Sequence, residues 1–258
     1  MSEFDLSGSG KVALITGGAN GIGRGVADVF GRAGYALALV DIDAEALRTT
    51  VAAFSQAGFD VVGHKVDVAD SAGVEGVVAA TVRRWGWLDF VLNGAGIVGK
   101  MAPIERLDEA DVDRVIAVNL KGPMNVCKHT VPAMRGGGVI LNIASITGRR
   151  GAAEYPAYSA SKAAVVALTR SLARRIGRFN IRINCMSPGS VDGTRLMAAV
   201  ASKVTSQQRM ALVAGVPLAR VGRPSDIAHL ALFLASPLAS HIHGAVLTID
   251  GGESLGAQ

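Results

Sequence analysis

Lys11-Val12-Ala13-Leu14-Ile15-Thr16-Gly17-Gly18-Ala19-Asn20-Gly21-Ile22-Gly23 carries an apolar run directly into a glycine-rich turn, and a helical pattern opens where the turn ends. The apolar run is continuous, without polar alternation, which predicts a strand covered on both faces. Glycines at 17, 21 and 23 let the backbone turn sharply and approach a ligand closely. The helix start beyond them offers free N–H groups and the positive end of the helix dipole, which suits a pyrophosphate. A glycine cluster alone serves ordinary tight turns equally well. Its position between a buried strand and a helix is the context that a dinucleotide fingerprint needs.

Working outward, the same rhythm repeats to the end of the chain. Apolar strand-like runs lie at 11–16, 36–41, 60–66, 88–93, 138–143, 181–186 and 245–249. Helical patterns lie between them, near 21–33, 43–57, 70–85, 108–134, 156–178 and 224–235. Strands that alternate with helices predict a doubly wound α/β sheet of about seven parallel strands with helices on both faces. With 258 residues, half of them hydrophobic, the chain can bury one sizeable core. No linker or internal repeat divides it, so residues 1–258 are expected to form a single domain. Residues 1–10 are polar and read as a flexible leader, and 190–216 breaks the rhythm as a loop over a ligand does.

Composition narrows the function classes. The formal charge is +5, yet the arginine pairs at 83–84, 149–150 and 174–175 are scattered and not interleaved with aromatics. That pattern argues against a nucleic-acid surface. No stretch reaches the roughly 18 uninterrupted apolar residues of a membrane helix. Cys127 and Cys185 are isolated in apolar segments, which points to a reducing, cytoplasmic setting and not to a disulfide or metal framework. His241 and His243 lack nearby carboxylate or thiolate partners in sequence, so no metal site is expected.

Two further features carry chemistry. Asp41 ends the second strand, 18 residues after Gly23, where a ribose-binding acid is expected about 20 residues on. A carboxylate there accepts hydrogen bonds from ribose hydroxyls and repels a 2′-phosphate. Ile42 supplies no arginine to neutralise one, which favours NAD over NADP. The competing role for Asp41 or Asp43 is a helix cap. Tyr158 and Lys162 stand four apart in a helical segment and therefore share a face. A free tyrosine has a pKa of about 10, and a nearby cation lowers it toward working pH, as a general acid/base requires. Tyrosine and lysine at this spacing also decorate ordinary solvated helices. Tyr155 is a decoy, since Ser159 and no lysine stands four residues on.

The glycine turn, the ribose acid and the Tyr–Lys pair, in that order, resemble the short-chain dehydrogenase/reductase family in its compact single-domain branch. The likeness runs from about Lys11 to Gly252. It implies a Rossmann-type fold and a dinucleotide held by Gly17, Asn20, Gly21, Ile22 and Gly23, with Asp41 and Ile42 beyond them. Asp67 and Val68, closing the third strand, match the family's adenine-holding position. Asn93-Gly94-Ala95 matches its Asn-Asn-Ala motif, with glycine in place of the second asparagine. Pro188, Gly189, Val191 and Thr194 match the segment that wraps the nicotinamide, although Thr194 lies one residue further from Pro-Gly than in many relatives. Asn119, Ser145, Tyr158 and Lys162 match the catalytic set, with the usual 13-residue interval from Ser145 to Tyr158.

The resemblance implies an NAD-dependent enzyme that moves hydride between the nicotinamide and a secondary alcohol or ketone. Tyr158 is the implied proton carrier and Ser145 the substrate-oxygen donor. Lys162 tunes Tyr158 and holds the nicotinamide ribose, and Asn119 orders a water. The alternative is a catalytically silent NAD-binding regulator on the same fold, because function belongs to the site and not to the scaffold. The resemblance also implies a homotetramer. Residues 146–156 and 190–216 are expected to read the substrate; Arg149, Arg150, Tyr155, Arg195 and Met197 are candidates to face its pocket, with surface solvation the favoured role for each arginine.

Overall fold

Seven short apolar runs become seven parallel strands in the computed structural model, which describes residues 6–134, 136–194, 197–198 and 213–255. They are β1 (Val12–Thr16), β2 (Ala36–Asp41), β3 (Val61–Lys65), β4 (Phe90–Asn93), β5 (Gly138–Ile143), β6 (Ile181–Pro188) and β7 (Val246–Ile249). Their order across the sheet is β3-β2-β1-β4-β5-β6-β7. The helices are α1 (Gly21–Arg32), α2 (Ala44–Gln56), α3 (Ser71–Trp85), α4 (Glu109–Ile116), α5 (Gly122–Ala133), α6 (Thr147–Arg150), α7 (Pro156–Ile176) and α8 (Pro224–Ala235).

The continuous apolar runs have their reason in the layering. In β1, Ala13 and Ile15 pack into one core with Val26, Phe30 and Ile227. Val12 and Leu14 pack into a second core with Val74, Val78 and Ile140 on the other face. Neither face of a central strand meets water, so neither face needs polar residues. Helix α1 shows the matching helical logic: Gly23, Val26, Ala27 and Phe30 are its buried residues, at helical spacing.

Strand β1 has β2 on one side and β4 on the other, with registers Thr16↔Val40 and Thr16↔Asn93. The chain therefore leaves β1 in one direction and returns past it for β4. Open α/β sheets bind ligands at such a reversal, outside the carboxyl ends of the strands. The glycine turn lies on that spot.

Three expectations need correction. The single helical pattern at 108–134 is two helices, α4 and α5, joined by a π-helical turn at Ala117–Lys121. Pro123 accounts for the break. It has no N–H for the Asn119 carbonyl four residues back, and its ring would collide with that carbonyl in a regular helix. The turn widens instead, and the Gly122 N–H bonds to the Ala117 carbonyl five residues back. Strand β6 runs on to Pro188, beyond the expected end at 186. The short helix α6 went unpredicted. Most of the loop at 190–216, with Arg195, lies outside the described residues, as do the first five residues of the expected leader.

Candidate active site

A cleft of about 400 Å³ runs along the carboxyl ends of β2, β1, β4, β5 and β6. Its lining brings together residues from 17 to 194 in sequence. Gly17 begins the turn at φ +69°, a left-handed conformation suited to glycine, and a Cβ there would meet the Ala95 backbone nitrogen at 2.9 Å. A Cβ on Gly23 would collide with the Gly17 carbonyl. Asn20 is the extended cap residue of α1, yet its side chain caps nothing and the first turn holds no acidic residue. The N–H groups that open α1 thus face the cleft unblocked by side chains, the arrangement a pyrophosphate requires.

Next to the turn, Asp41 is fixed by two backbone donors. The Ala19 N–H reaches one carboxylate oxygen at 3.1 Å and the Asp43 N–H the other at 3.0 Å. A carboxylate has about four acceptor sites, so capacity remains for ribose hydroxyls. Asp43 takes the capping role instead, accepting from the Ala46 N–H at 3.1 Å. Ile42 is half exposed at the rim. Asp67 and Val68 line the wall beside it. Burial works to raise the Asp67 pKa, but the Ala69 N–H and the Arg114 guanidinium, 2.7 Å away, hold it below the ordinary carboxylate range.

The floor joins β1 to β4. The Thr16 hydroxyl donates to the Leu92 carbonyl at 3.2 Å and accepts from the Gly94 and Ala95 N–H groups at 3.1 and 3.2 Å. Gly94, where the family motif carries asparagine, lets the backbone close on β1: a Cβ in this conformation would meet the Thr16 carbonyl at 2.7 Å. Asn93 departs from expectation: it does not line the cleft. It is buried beneath it, where Nδ2 donates to Asn142 Oδ1 at 2.7 Å, and Asn142 Nδ2 donates to Thr169 Oγ1 at 2.8 Å.

At the far end stand Ser145, Tyr158 and Lys162. Pro156 opens α7 at its first position, where a missing N–H costs nothing. The helix then turns Tyr158, Ser161, Lys162, Val165 and Thr169 along one face, and the last four are buried. Lys162 Nζ donates to the Ile143 carbonyl at 2.9 Å and lies 5.6 Å from the Tyr158 ring centroid. Burial penalises its charge and lowers its pKa to about 8. Tyr158 moves the other way: burial raises its pKa, against a hydrogen bond from Ser145 that favours the phenolate. The expected depression by Lys162 is absent in the protein alone: burial dominates, and only the Ser145 hydrogen bond opposes it.

Thr147, which the sequence reading passed over, sets the direction of Ser145. Its N–H and its hydroxyl both donate to Ser145 Oγ, at 3.2 and 2.9 Å. Both acceptor sites of the serine are filled, so its own proton is left to donate away from Thr147, in the protein alone to Tyr158. Asn119 does not line the cleft. Its side chain is fully committed: Oδ1 accepts from the Ile97 N–H at 2.9 Å, and Nδ2 donates to the Ile97 carbonyl at 2.8 Å and to Ser161 Oγ at 3.0 Å. It pins the loop after β4 to α7.

Of the expected substrate readers, Arg149, Arg150, Tyr155 and Met197 do not line the cleft. Arg150 donates to the Glu253 carbonyl at 2.9 Å, on the chain's final described turn. Thr194 does reach the cleft and sits over the glycine turn, its Cγ2 at 3.4 Å from where a Gly21 Cβ would be. Gly96–Gly99, Val191 and Tyr158 form the mouth beside Ser145.

A family model described as enoyl-(acyl carrier protein) reductase matches residues 17–254. The chain is similar to sorbitol dehydrogenase of Cereibacter sphaeroides, with 36% identity over 252 residues that cover 94% of this chain and 97% of that protein. Among solved structures, levodione reductase matches with a TM-score of 0.91 at 35% identity, covering 96% of this chain and 98% of the other. NAD+-bound xylitol dehydrogenase matches with a TM-score of 0.89 at 32% identity, covering 95% and 99%.

Proposed function

The chain belongs to the short-chain dehydrogenase/reductase family, and on that premise we propose that it is an NAD-dependent oxidoreductase interconverting a secondary alcohol and its ketone, with Tyr158 as the proton carrier. The observation that carries this reading is a single cleft that joins the glycine turn and Asp41 at one end to Ser145, Tyr158 and Lys162 at the other. A nicotinamide dinucleotide, when bound, supplies the hydride carrier, while the protein positions and polarises.

The chain's own residues divide the remaining work. The Ser145 hydroxyl, directed outward by Thr147, donates to the substrate oxygen where charge develops. Tyr158 Oη, as the phenolate, takes the alcohol proton in oxidation and, as the phenol, returns it in reduction. Lys162, with a pKa of about 8, keeps its ammonium at neutral pH and donates to the nicotinamide ribose. Asn119 contributes through its side chain, which fixes Ile97 and Ser161, and we infer from the family resemblance that it also orders a water behind Lys162.

NAD is favoured over NADP because Asp41 is held at the ribose position by two N–H groups. The one cleft-lining arginine among the described residues, Arg114, is engaged by Asp67. The NAD+-bound relative supports the same choice. We assign a homotetramer in which the helices of 109–133 and 156–176 pack between subunits. Met124, 47% exposed on α5, is an apolar side chain such packing covers. Two buried free thiols suit the cytoplasm, and no described helix is long and apolar enough to cross a membrane.

A panel of secondary alcohols and polyols, followed by the absorbance of reduced nicotinamide with NAD and with NADP, tests the reading. Turnover with NAD on at least one alcohol is expected. Tight NAD binding with no turnover on any substrate would instead identify a silent regulator. Sizing with light scattering at micromolar concentration checks the tetramer, and a monomer refutes it.

A further inference from the structure

Beyond β7 the described residues end in a short turn, Glu253–Leu255. Glu253 is absent from the cleft lining, yet it holds the segment that forms the nicotinamide end. Its carboxylate accepts from the Ser190 N–H at 2.7 Å and from Ser190 Oγ at 3.1 Å. Gly189 and Val191, on either side of Ser190, line the cleft. The Ser190 carbonyl is held in turn by the Gly222 N–H at 2.8 Å. Glu253 also closes down tightly on Gly189, where an added Cβ would meet its Oε2 at 2.6 Å. Its main-chain carbonyl takes the Arg150 guanidinium at 2.9 Å, so the turn reaches the segment after Ser145 as well.

The Glu253 turn itself is fixed. Asp250 accepts from the Gly252 N–H at 2.9 Å and from the Ser254 N–H at 2.8 Å. The carboxylate is thus presented from a folded element and does not hang from a free tail.

We infer that Glu253 is a positioning residue for the nicotinamide subsite, acting from behind the cleft wall by clasping Ser190. The inference rests on the reading of the cleft as a dinucleotide site. The clasp sets where Gly189 and Val191 stand, and therefore the depth of the cleft beside Tyr158. Asp41 and the glycine turn lie on other strands, and the segment beyond Ser190 meets them where Gly193 and Thr194 reach Gly21. The effect of breaking the clasp is consequently expected to fall mainly on the nicotinamide half of the dinucleotide.

Calorimetric titration of the full chain with NADH and with ADP-ribose separates the two halves. Wild-type binding of both ligands checks the dinucleotide reading independently of the clasp. For Glu253→Ala, the orphaned Ser190 donor is expected to weaken NADH about tenfold, with ADP-ribose changed by less than about twofold. Glu253→Gln keeps one carbonyl acceptor for the N–H and a neutral partner for the hydroxyl, so it is expected to restore NADH affinity to within about threefold of wild type. Ser190→Ala, which removes only the hydroxyl bond, is a milder disruption should Glu253→Ala fold poorly. It is expected to weaken NADH by about threefold, again sparing ADP-ribose. NADH affinity unchanged in Glu253→Ala or Ser190→Ala, or NADH and ADP-ribose weakened by the same factor, overturns the inference.

Discussion

The two ends of the cleft handle charge in opposite ways. At the adenosine end Asp41 and Asp67 stand partly in water, each supplied with backbone N–H donors, and Asp67 is also paired with Arg114. At the nicotinamide end Lys162 is buried with a backbone carbonyl as its partner, and Tyr158 is enclosed beside it. Burial lowers the lysine to about 8 and raises the tyrosine. Recognition is served at Asp67 by a carboxylate that stays ionised, its charge stabilised by the Ala69 N–H and Arg114 against burial. Proton transfer needs groups that can lose or gain a proton, so their environment penalises charge.

Tyr158→Phe tests the reactive end most severely. Loss of the phenol is expected to cut kcat by about a thousandfold while NADH affinity stays within about twofold, because general acid–base catalysis is lost and binding is not. Residual turnover near the wild-type level would remove Tyr158 from the chemistry.

Lys162→Met sharpens the contrast through stability. The folded pKa of about 8 lies below the ordinary lysine value of 10.5, so the folded state binds the proton less well than the unfolded chain. The charge penalty is fully present below pH 8 and is relieved as pH rises toward 10.5, where stability climbs with pH. In the cofactor-free protein the methionine variant is expected to gain up to roughly 3 kcal/mol at pH 7 relative to wild type. That gap should narrow across this pH window in denaturant titrations. A gap independent of pH would show that burial of the ammonium is not what separates the two.

At the adenosine end, Asp41→Ala is expected to weaken NAD about tenfold through lost ribose hydrogen bonds and to erode discrimination against NADP. A wild-type preference for NADP would refute the reading of Asp41. The smallest effect belongs to Thr147→Val, which keeps the N–H donor to Ser145 and removes the hydroxyl one. A roughly fivefold fall in kcat with KM little changed is expected, from the loss of one hydrogen bond that directs Ser145. An unchanged kcat would show that the N–H alone directs the serine.

The sheet and the glycine turn were legible because each strand is buried on two faces and writes an uninterrupted apolar run. The meeting of Ser145, Tyr158 and Lys162 in the cleft was legible because their spacing follows from one strand end and one helix face. The π turn was hidden, since the apolar pattern of 108–134 continues through it. Pro123, four residues after Asn119, was the available signal. The clasp of Ser190 by Glu253 was invisible for another reason: the partners are 63 residues apart and belong to no motif. Arg149 and Arg150 are exposed and off the cleft, in line with the solvated role favoured for them, since closeness to Ser145 in sequence says nothing of which way a helix such as α6 turns its side chains.

The buried amides beneath the cleft have a consequence of their own. A strand that is apolar on both faces gives hydrophobicity little power to choose its alignment, since a slip of two residues presents much the same surfaces. Asn93 and Asn142 stand directly opposite each other in the β4–β5 register, and each slip would strand two amides in the core at about 1–3 kcal/mol apiece. They act as a key between otherwise interchangeable notches. Because Asn93 is the last residue of β4 and the cleft begins at Gly94, that key fixes where the floor of the cleft begins.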